Sequence, residues 1–331
     1  MATIDPTLAA RTRLRRRARG FFTLTERAHF LTATIPALVR LMRPRQWAKN
    51  LFVLAGLVFG EREVGGERVQ TLFMHDTVIR ALIAFVAFSL LSGAVYVLND
   101  LRDVEQDRLH PVKRSRPLAA GEVSPWLATV TGLVLLLAGL AVSWHLSLGM
   151  VRVAAVYLAL NLVYTYWWKH VVLLDIFCVA SGFVLRVIAG VVAVQAITGP
   201  WILACTLFLS LLISLGKRRS EVILLGNGAT GHRRTLGHYP LPFLDVLIIL
   251  TSAMTVLAYA LFTIESKRTI WLTATVPFVL YGVFRYLYLL YVVRSTESPE
   301  ALILKDRPLL ISGVLWAILA ASLFAMHSPV P

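Results

Sequence analysis

The chain has 331 residues, 57% of them hydrophobic and 15% charged. That balance excludes an ordinary soluble domain, and several apolar stretches approach the roughly 20 residues that cross a bilayer as helix. The 33 Lys and Arg against 18 Asp and Glu give a net charge of +15; in a polytopic membrane protein, cytoplasmic loops and anionic lipids account for such an excess, so no nucleic-acid partner is read from it. Cys178 and Cys205 both lie in apolar runs, which argues against a disulfide and against a thiol metal site.

Residues 1–30 carry Arg11, Arg13, Arg15, Arg16, Arg17 and Arg19 with no short apolar core behind them. They read as a disordered basic arm on the cytoplasmic leaflet, not as a cleavable signal peptide. Residues 31–45 form an interfacial lead-in ending in Arg43-Pro44-Arg45, and residues 31–331 make one transmembrane domain. Nine spans are expected near 46–62, 78–98, 124–144, 148–168, 171–194, 200–217, 243–264, 270–292 and 309–326. Lys and Arg concentrate in the arm and in the gaps after the second, sixth and eighth spans. The positive-inside rule therefore puts the N-terminus and those loops in the cytoplasm.

The gap after the second span, Asn99–Gly121, reads NDLRDVEQDRLHPVKRSRPLAAG. Asp100, Asp103 and Asp107 stand at i, i+3 and i+7, so on a helix the three carboxylates share one face. Asn99, one turn before Asp103, can add an oxygen. Hard oxygen ligands on one face suit Mg²⁺, which takes one or two carboxylates and completes its shell with substrate phosphates. Beyond them the sign reverses at Lys113, Arg114 and Arg116. Acids for a metal followed by cations for anionic oxygens describe a metal-diphosphate site, against the plainer reading of a solvated loop.

The gap after the sixth span opens with Gly216-Lys217-Arg218-Arg219-Ser220-Glu221. Lys217 and Glu221, one turn apart, can form an intrahelical ion pair; alternatively Lys217 and Arg218 hold phosphate oxygens while Glu221 reaches a metal. The glycine-rich stretch from Gly226 to Arg234 reads as a lid or a plain surface loop. Between the fourth and fifth spans lies YTYWWKHVVLLD, where Trp167 and Trp168 read as an interfacial belt. Asp175 and Arg186 fall inside an apolar span, where ionisable residues are functional or paired.

Asn99-Asp100-x-x-Asp103-x-x-x-Asp107 followed by His110-Pro111-x-Lys113-x-x-Arg116-Pro117 resembles the first signature of the UbiA superfamily of intramembrane prenyltransferases. Tyr164, Lys169 and Asp175, and Arg186 in LRVIAG, resemble its fourth and fifth helices. The resemblance implies an all-α bundle of about nine transmembrane helices, a central cavity open to the cytoplasm, and bound Mg²⁺. Members usually carry a second Asp-rich motif after helix six; GKRRSE keeps only Glu221 there. That replacement, with Arg43-Pro44-Arg45-Gln46-Trp47-x-Lys49-Asn50, Arg233-x-x-Leu236-x-x-Tyr239 and PEALILKDRP, is similar to the decaprenyl-phosphate phosphoribosyltransferase branch. The branch implies transfer of 5-phosphoribose from phosphoribosyl diphosphate to a polyprenyl phosphate in a bacterial plasma membrane, toward cell-envelope arabinan. Asp100, Asp103, Asp107 and Lys113 are then the catalytic candidates. Lys49, Asn99, His110, Arg116, Tyr164, Lys169, Lys217, Arg218, Glu221 and Arg233 are the substrate-binding ones. The alternatives are an aromatic prenyltransferase of the same fold, which would need a second acidic pair after the sixth span, and a transporter, which would place polar residues at the bilayer midplane. A homo-oligomer is compatible with either.

Overall fold

The computed structural model describes residues 34–111, 113–225, 237–265, 270–293, 302 and 305–327. The basic arm, the stretch from Gly226 to Arg234 and the expected ligand Arg233 lie outside the described residues. From His75 onward the helices are α1 (His75–Arg102), the short α2 (Val104–Leu109), α3 (Pro125–Leu146), α4 (Leu148–Tyr166), α5 (Leu174–Val194), α6 (Pro200–Leu225), α7 (Leu241–Glu265), α8 (Val276–Tyr291) and α9 (Arg307–His327). Among the described residues, eight helices are long and apolar enough to cross a membrane, α8 counting with the turn before it. They coincide with the second to ninth expected spans. Local chemistry fixes several starts. Ser124 Oγ accepts from Leu127 N–H at 3.2 Å just before Pro125 opens α3, and Ser147 Oγ accepts from Met150 N–H at 3.1 Å at the head of α4. Cys178 and Cys205 are free and buried, as their apolar setting implies.

The first expected span is corrected. It is not one helix: Pro44–Leu54 winds as 3-10 helix, Ala55–Phe59 as a short α-helical piece, and the chain then enters a hairpin. Strands β1 (Glu61–Val64) and β2 (Glu67–Gln70) pair antiparallel with Glu61 opposite Gln70. Two glycines make the turn, with φ +62° at Gly65 and +87° at Gly66, the conformation a two-residue hairpin demands. Close backbone contact accounts for the interrupted helix. A Cβ on Gly190 would lie 1.8 Å from the Val53 carbonyl oxygen, and one on Gly56 would lie 2.4 Å from the Gly190 carbonyl carbon. Side chains satisfy the carbonyls a longer helix would have used. Thr71 Oγ1 lies 2.8 Å from Leu57 O and 3.0 Å from Gly60 O, and Gln70 Nε2 donates to Val58 O.

Cα packing divides the chain into two compact units: the described residues up to Arg45 with Tyr96–Val134, and Gln46–Val95 with Leu135–Pro331. In the larger unit α5 and α6 run antiparallel, so the start of α5 meets the late turns of α6 at Asp175 and Arg218. Arg186 lies 12 residues into α5, about 18 Å from its start at 1.5 Å per residue. Its guanidinium donates to Asn50 Oδ1 at 2.8 Å, to Gly182 O at 2.8 Å and to Tyr157 Oη at 3.0 Å. Asn50 in turn donates to Ser89 Oγ and Ser92 Oγ at 3.1 and 3.2 Å. This buried ionisable residue therefore pins the first segment to α5 and α1 through neutral partners.

The Val53–Gly190 approach gives a direct test. Gly190→Leu should lower the thermal midpoint in detergent sharply, since overpacking typically costs about 1–3 kcal/mol and the obstacle here is backbone. Gly313→Ala, whose added Cβ meets nothing within 4 Å, should leave it unchanged. Equal midpoints for the two variants would contradict the packing account.

Candidate active site

In the smaller unit the acidic motif is shared by two helices with a break between them, and backbone bonds run across it from Asp103 N–H to Asn99 O at 2.9 Å and from Asp107 N–H to Asp103 O at 2.8 Å. Helix α1 ends at Arg102, and Asp103 occupies the break before α2 with φ −95° and ψ 11°. Asp100 and Asp107 are buried, at 2% and 3% exposure, whereas Asp103 is part-exposed. Two acids converge, and they do so on a cation. Arg116 Nη1 lies 3.1 Å from Asp100 Oδ1 and 2.5 Å from Asp107 Oδ2. A second guanidinium, Arg43, also donates to Asp100 Oδ1, and its charge stands 5.2 Å over the Tyr96 ring.

Arg43 was not among the expected site residues. The signal was present in Arg43-Pro44-Arg45, a cationic step at the membrane edge, but nothing in that spacing points to an acid 57 positions later. Of the other expected residues, Lys113 begins a short 3-10 turn with its backbone N–H donated to His110 Nδ1 at 3.2 Å. The Asn99 carbonyl accepts from Asp103 N–H at 2.9 Å across the break. Lys49 lies in the larger unit, beside the buried Asn50.

Among the described residues no group of three or more His, Cys, Asp or Glu is arranged to hold a metal. The donor set nevertheless suits one hard cation. Asp100 Oδ2 is buried and accepts no hydrogen bond, and Asp107 lies across the shared Arg116. Mg²⁺ needs only one or two carboxylates when phosphates complete its shell.

The larger unit holds a second charged cluster at the start of α5. Tyr239 Oη donates to Asp175 Oδ1 at 2.7 Å and accepts from Leu173 N–H at 2.7 Å. That bond holds Leu173 at φ +69°, a region L residues rarely adopt. Burial first, then the hydrogen bond to Asp175, pushes the Tyr239 hydroxyl above its ordinary range, so it remains a donor at neutral pH. Arg218 Nε lies 3.2 Å from Asp175 Oδ2, and Arg218 Nη1 donates to Glu221 Oε2 at 2.5 Å. Arg218 is 7% exposed and Asp175 fully buried.

Glu221 thus pairs with Arg218 at i+3, not with Lys217 at i+4, and Arg218 is balanced by two carboxylates. Lys217 is exposed and Lys169 and Tyr164 are half-buried. Tyr239 is the residue this cluster adds to the expected set; the Arg233-x-x-Leu236-x-x-Tyr239 spacing marked its position but not its partner. The same unit contains an apolar cavity of about 400 Å³ lined by Phe52, Leu209, Val283 and Trp316 among others.

Residues 51–302 match the model of the UbiA prenyltransferase family. The chain belongs to that family. The similarity to a decaprenyl-phosphate phosphoribosyltransferase of Mycolicibacterium smegmatis is 35% identity over 294 residues, covering 85% of this chain and 90% of that one. A protein of the same name from Corynebacterium glutamicum is 35% identical over 234 residues, 70% of this chain and 68% of the relative. In fold, a UbiA homologue from Archaeoglobus fulgidus bound to GPP and Mg²⁺ aligns with a TM-score of 0.68 at 21% identity, over 88% of this chain and 99% of that one. A UbiA-type, multi-pass membrane protein is therefore what the helical pattern implied.

Arg218 and Lys217 separate by stability. Arg218→Ala removes a buried guanidinium from beside Asp175 and Glu221, and breaking a buried pair costs about 3–5 kcal/mol. Lys217→Ala, at an exposed position, should stay within about 0.5 kcal/mol of the parent. Thermal unfolding of both variants in one detergent checks the order, and a stable Arg218→Ala would contradict the balanced-charge reading.

Proposed function

We propose that this UbiA-family protein transfers 5-phosphoribose from phosphoribosyl diphosphate to a polyprenyl phosphate, releasing diphosphate. The observation that carries the reading is Glu221. It is the only acid of the GKRRSE segment, and it is bound to Arg218. A second metal-binding acidic pair, as a prenyl-diphosphate donor would require, has no residues there. Lys217, the exposed cation of that segment, suits a donor with an anionic group at its far end, since a phosphate monoester carries roughly −1.5 to −2. The similarity to two decaprenyl-phosphate phosphoribosyltransferases supports the same choice.

Asp100 and Asp107 are the residues that would hold Mg²⁺, which neutralises charge on a leaving diphosphate when bound. Arg116, within reach of both carboxylates, is placed to donate to the diphosphate oxygens. In the transfer an oxygen of the acceptor phosphate forms the new bond to the anomeric carbon. The bond from that carbon to the diphosphate oxygen breaks, and its electron pair leaves with the diphosphate. Positive charge develops on the ribose in passing, as in other glycosyl transfers. The acceptor phosphate is ionised and already nucleophilic, so the reaction calls for no protein base. Cations bring two anionic reactants together, and Lys169 and Lys217 are the candidates for phosphate monoesters. The apolar cavity of the larger unit suits the first isoprene units of the acceptor. On the charge pattern, the acidic loop faces the cytoplasm of a bacterial cell, with the N-terminus inside.

Purified protein given labelled phosphoribosyl diphosphate and decaprenyl phosphate should make a labelled lipid in the presence of Mg²⁺. With a prenyl diphosphate and an aromatic acid it should make none; the reverse result would favour the aromatic prenyltransferase reading. Lys217 gives a finer check. Charge-assisted hydrogen bonds to phosphate contribute about 1.5–3 kcal/mol, so Lys217→Ala should weaken phosphoribosyl diphosphate binding by about one to two decades and leave free diphosphate binding little changed. Equal losses for both ligands would place Lys217 on the diphosphate instead.

A further inference from the structure

Arg43 is a residue of the acid cluster that the proposed chemistry has not used, and three observations mark it. Its backbone stands at φ +52°, unusual for a residue with a side chain. Its guanidinium is stacked over Tyr96. It donates to the same Asp100 oxygen that Arg116 reaches, while the other oxygen of that carboxylate stays without a hydrogen bond. A strained, stacked arginine aimed at a buried acid is held there by its surroundings.

Charge bookkeeping says what the arrangement does. Where they converge, Asp100 and Asp107 supply two negative charges, and Arg43 and Arg116 return two positive ones. A divalent cation arriving alone enters a site whose acids are mostly neutralised, and it competes with two guanidiniums for Asp100. A divalent cation arriving with a diphosphate offers those guanidiniums phosphate oxygens in exchange for the carboxylate. We propose that Arg43 is an exchanging ligand: its guanidinium opposes a metal on Asp100 and moves its hydrogen bonds to the diphosphate when the two bind together. Metal and diphosphate then bind with positive coupling, and the coupling is reciprocal. Arg43 lowers affinity for the metal by itself and raises affinity for the metal-bound diphosphate. The inference rests on the reading of this cluster as a metal-diphosphate site, and it is independent of whether the donor carries ribose or a prenyl chain.

The test uses the full-length protein in detergent, with Mn²⁺ as a spectroscopically visible divalent cation and inorganic diphosphate as the second probe. Arg43→Gln keeps a hydrogen-bonding side chain and removes the charge; Arg43→Lys keeps a charge without the fork. Arg43→Gln should bind Mn²⁺ alone roughly tenfold more tightly than the parent, and bind diphosphate at saturating Mn²⁺ roughly tenfold more weakly, the change expected for one charge-assisted contact. Arg43→Lys should fall between. The opposite signs are the signature, because a merely structural arginine would weaken both. Two losses, two unchanged affinities, or a shift in only one of them would overturn the exchange. Parent protein that takes up no diphosphate beside Mn²⁺ would overturn the metal-diphosphate reading and this inference with it, whereas parental uptake with an unshifted Arg43→Gln overturns this inference alone.

Discussion

The carboxylate of Asp100 is withdrawn from water and has to be balanced, and that constraint organises the smaller unit. An isolated buried charge costs several kcal/mol, which only good geometry and further hydrogen bonds offset. Arg43 and Arg116 meet the requirement from opposite directions in sequence, one before the first membrane segment and one after α2. Arg116 extends the balance to Asp107, so the two acids share one cation. The same rule governs the larger unit by itself, where fully buried Asp175 is met by Tyr239 and Arg218. Deep in α5, Arg186 is satisfied by an amide, a carbonyl and a phenol. Among the described residues, buried Asp100, Asp107, Asp175, Arg186 and Arg218 each have partners.

Much of this could be read from the sequence, for physical reasons. Spans of about 20 apolar residues announce themselves because the bilayer core sets their length. The Asp-rich motif and the basic turn after it are contiguous, so their chemistry needed no fold to be seen. The Gly65-Gly66 step was also legible as a hairpin turn, since both positions require positive φ, yet the expectation of helix ran past Phe59.

Other features lay in contacts between residues far apart in the chain. The i, i+3 and i+7 spacing of the three acids gives no sign of the break in the helix at Asp103. Lys217 and Arg218 are adjacent and equally charged, and only the position of Asp175 decides which is buried and paired. The Arg43–Asp100 pair spans 57 residues and the Tyr239–Asp175 bond 64; no local period encodes either. The interrupted first segment depends on Gly190, far along the chain, lying against Val53.

The central claim is that Asp100 makes diphosphate binding depend on a divalent cation. Calorimetric titration of inorganic diphosphate into the parent protein and Asp100→Asn, with and without Mg²⁺, examines it directly. The parent should bind diphosphate with Mg²⁺ and lose that binding on chelation. Asp100→Asn should show weak binding that Mg²⁺ no longer strengthens, with its thermal midpoint showing a folded protein. Undiminished Mg²⁺-dependent binding in Asp100→Asn would contradict the account.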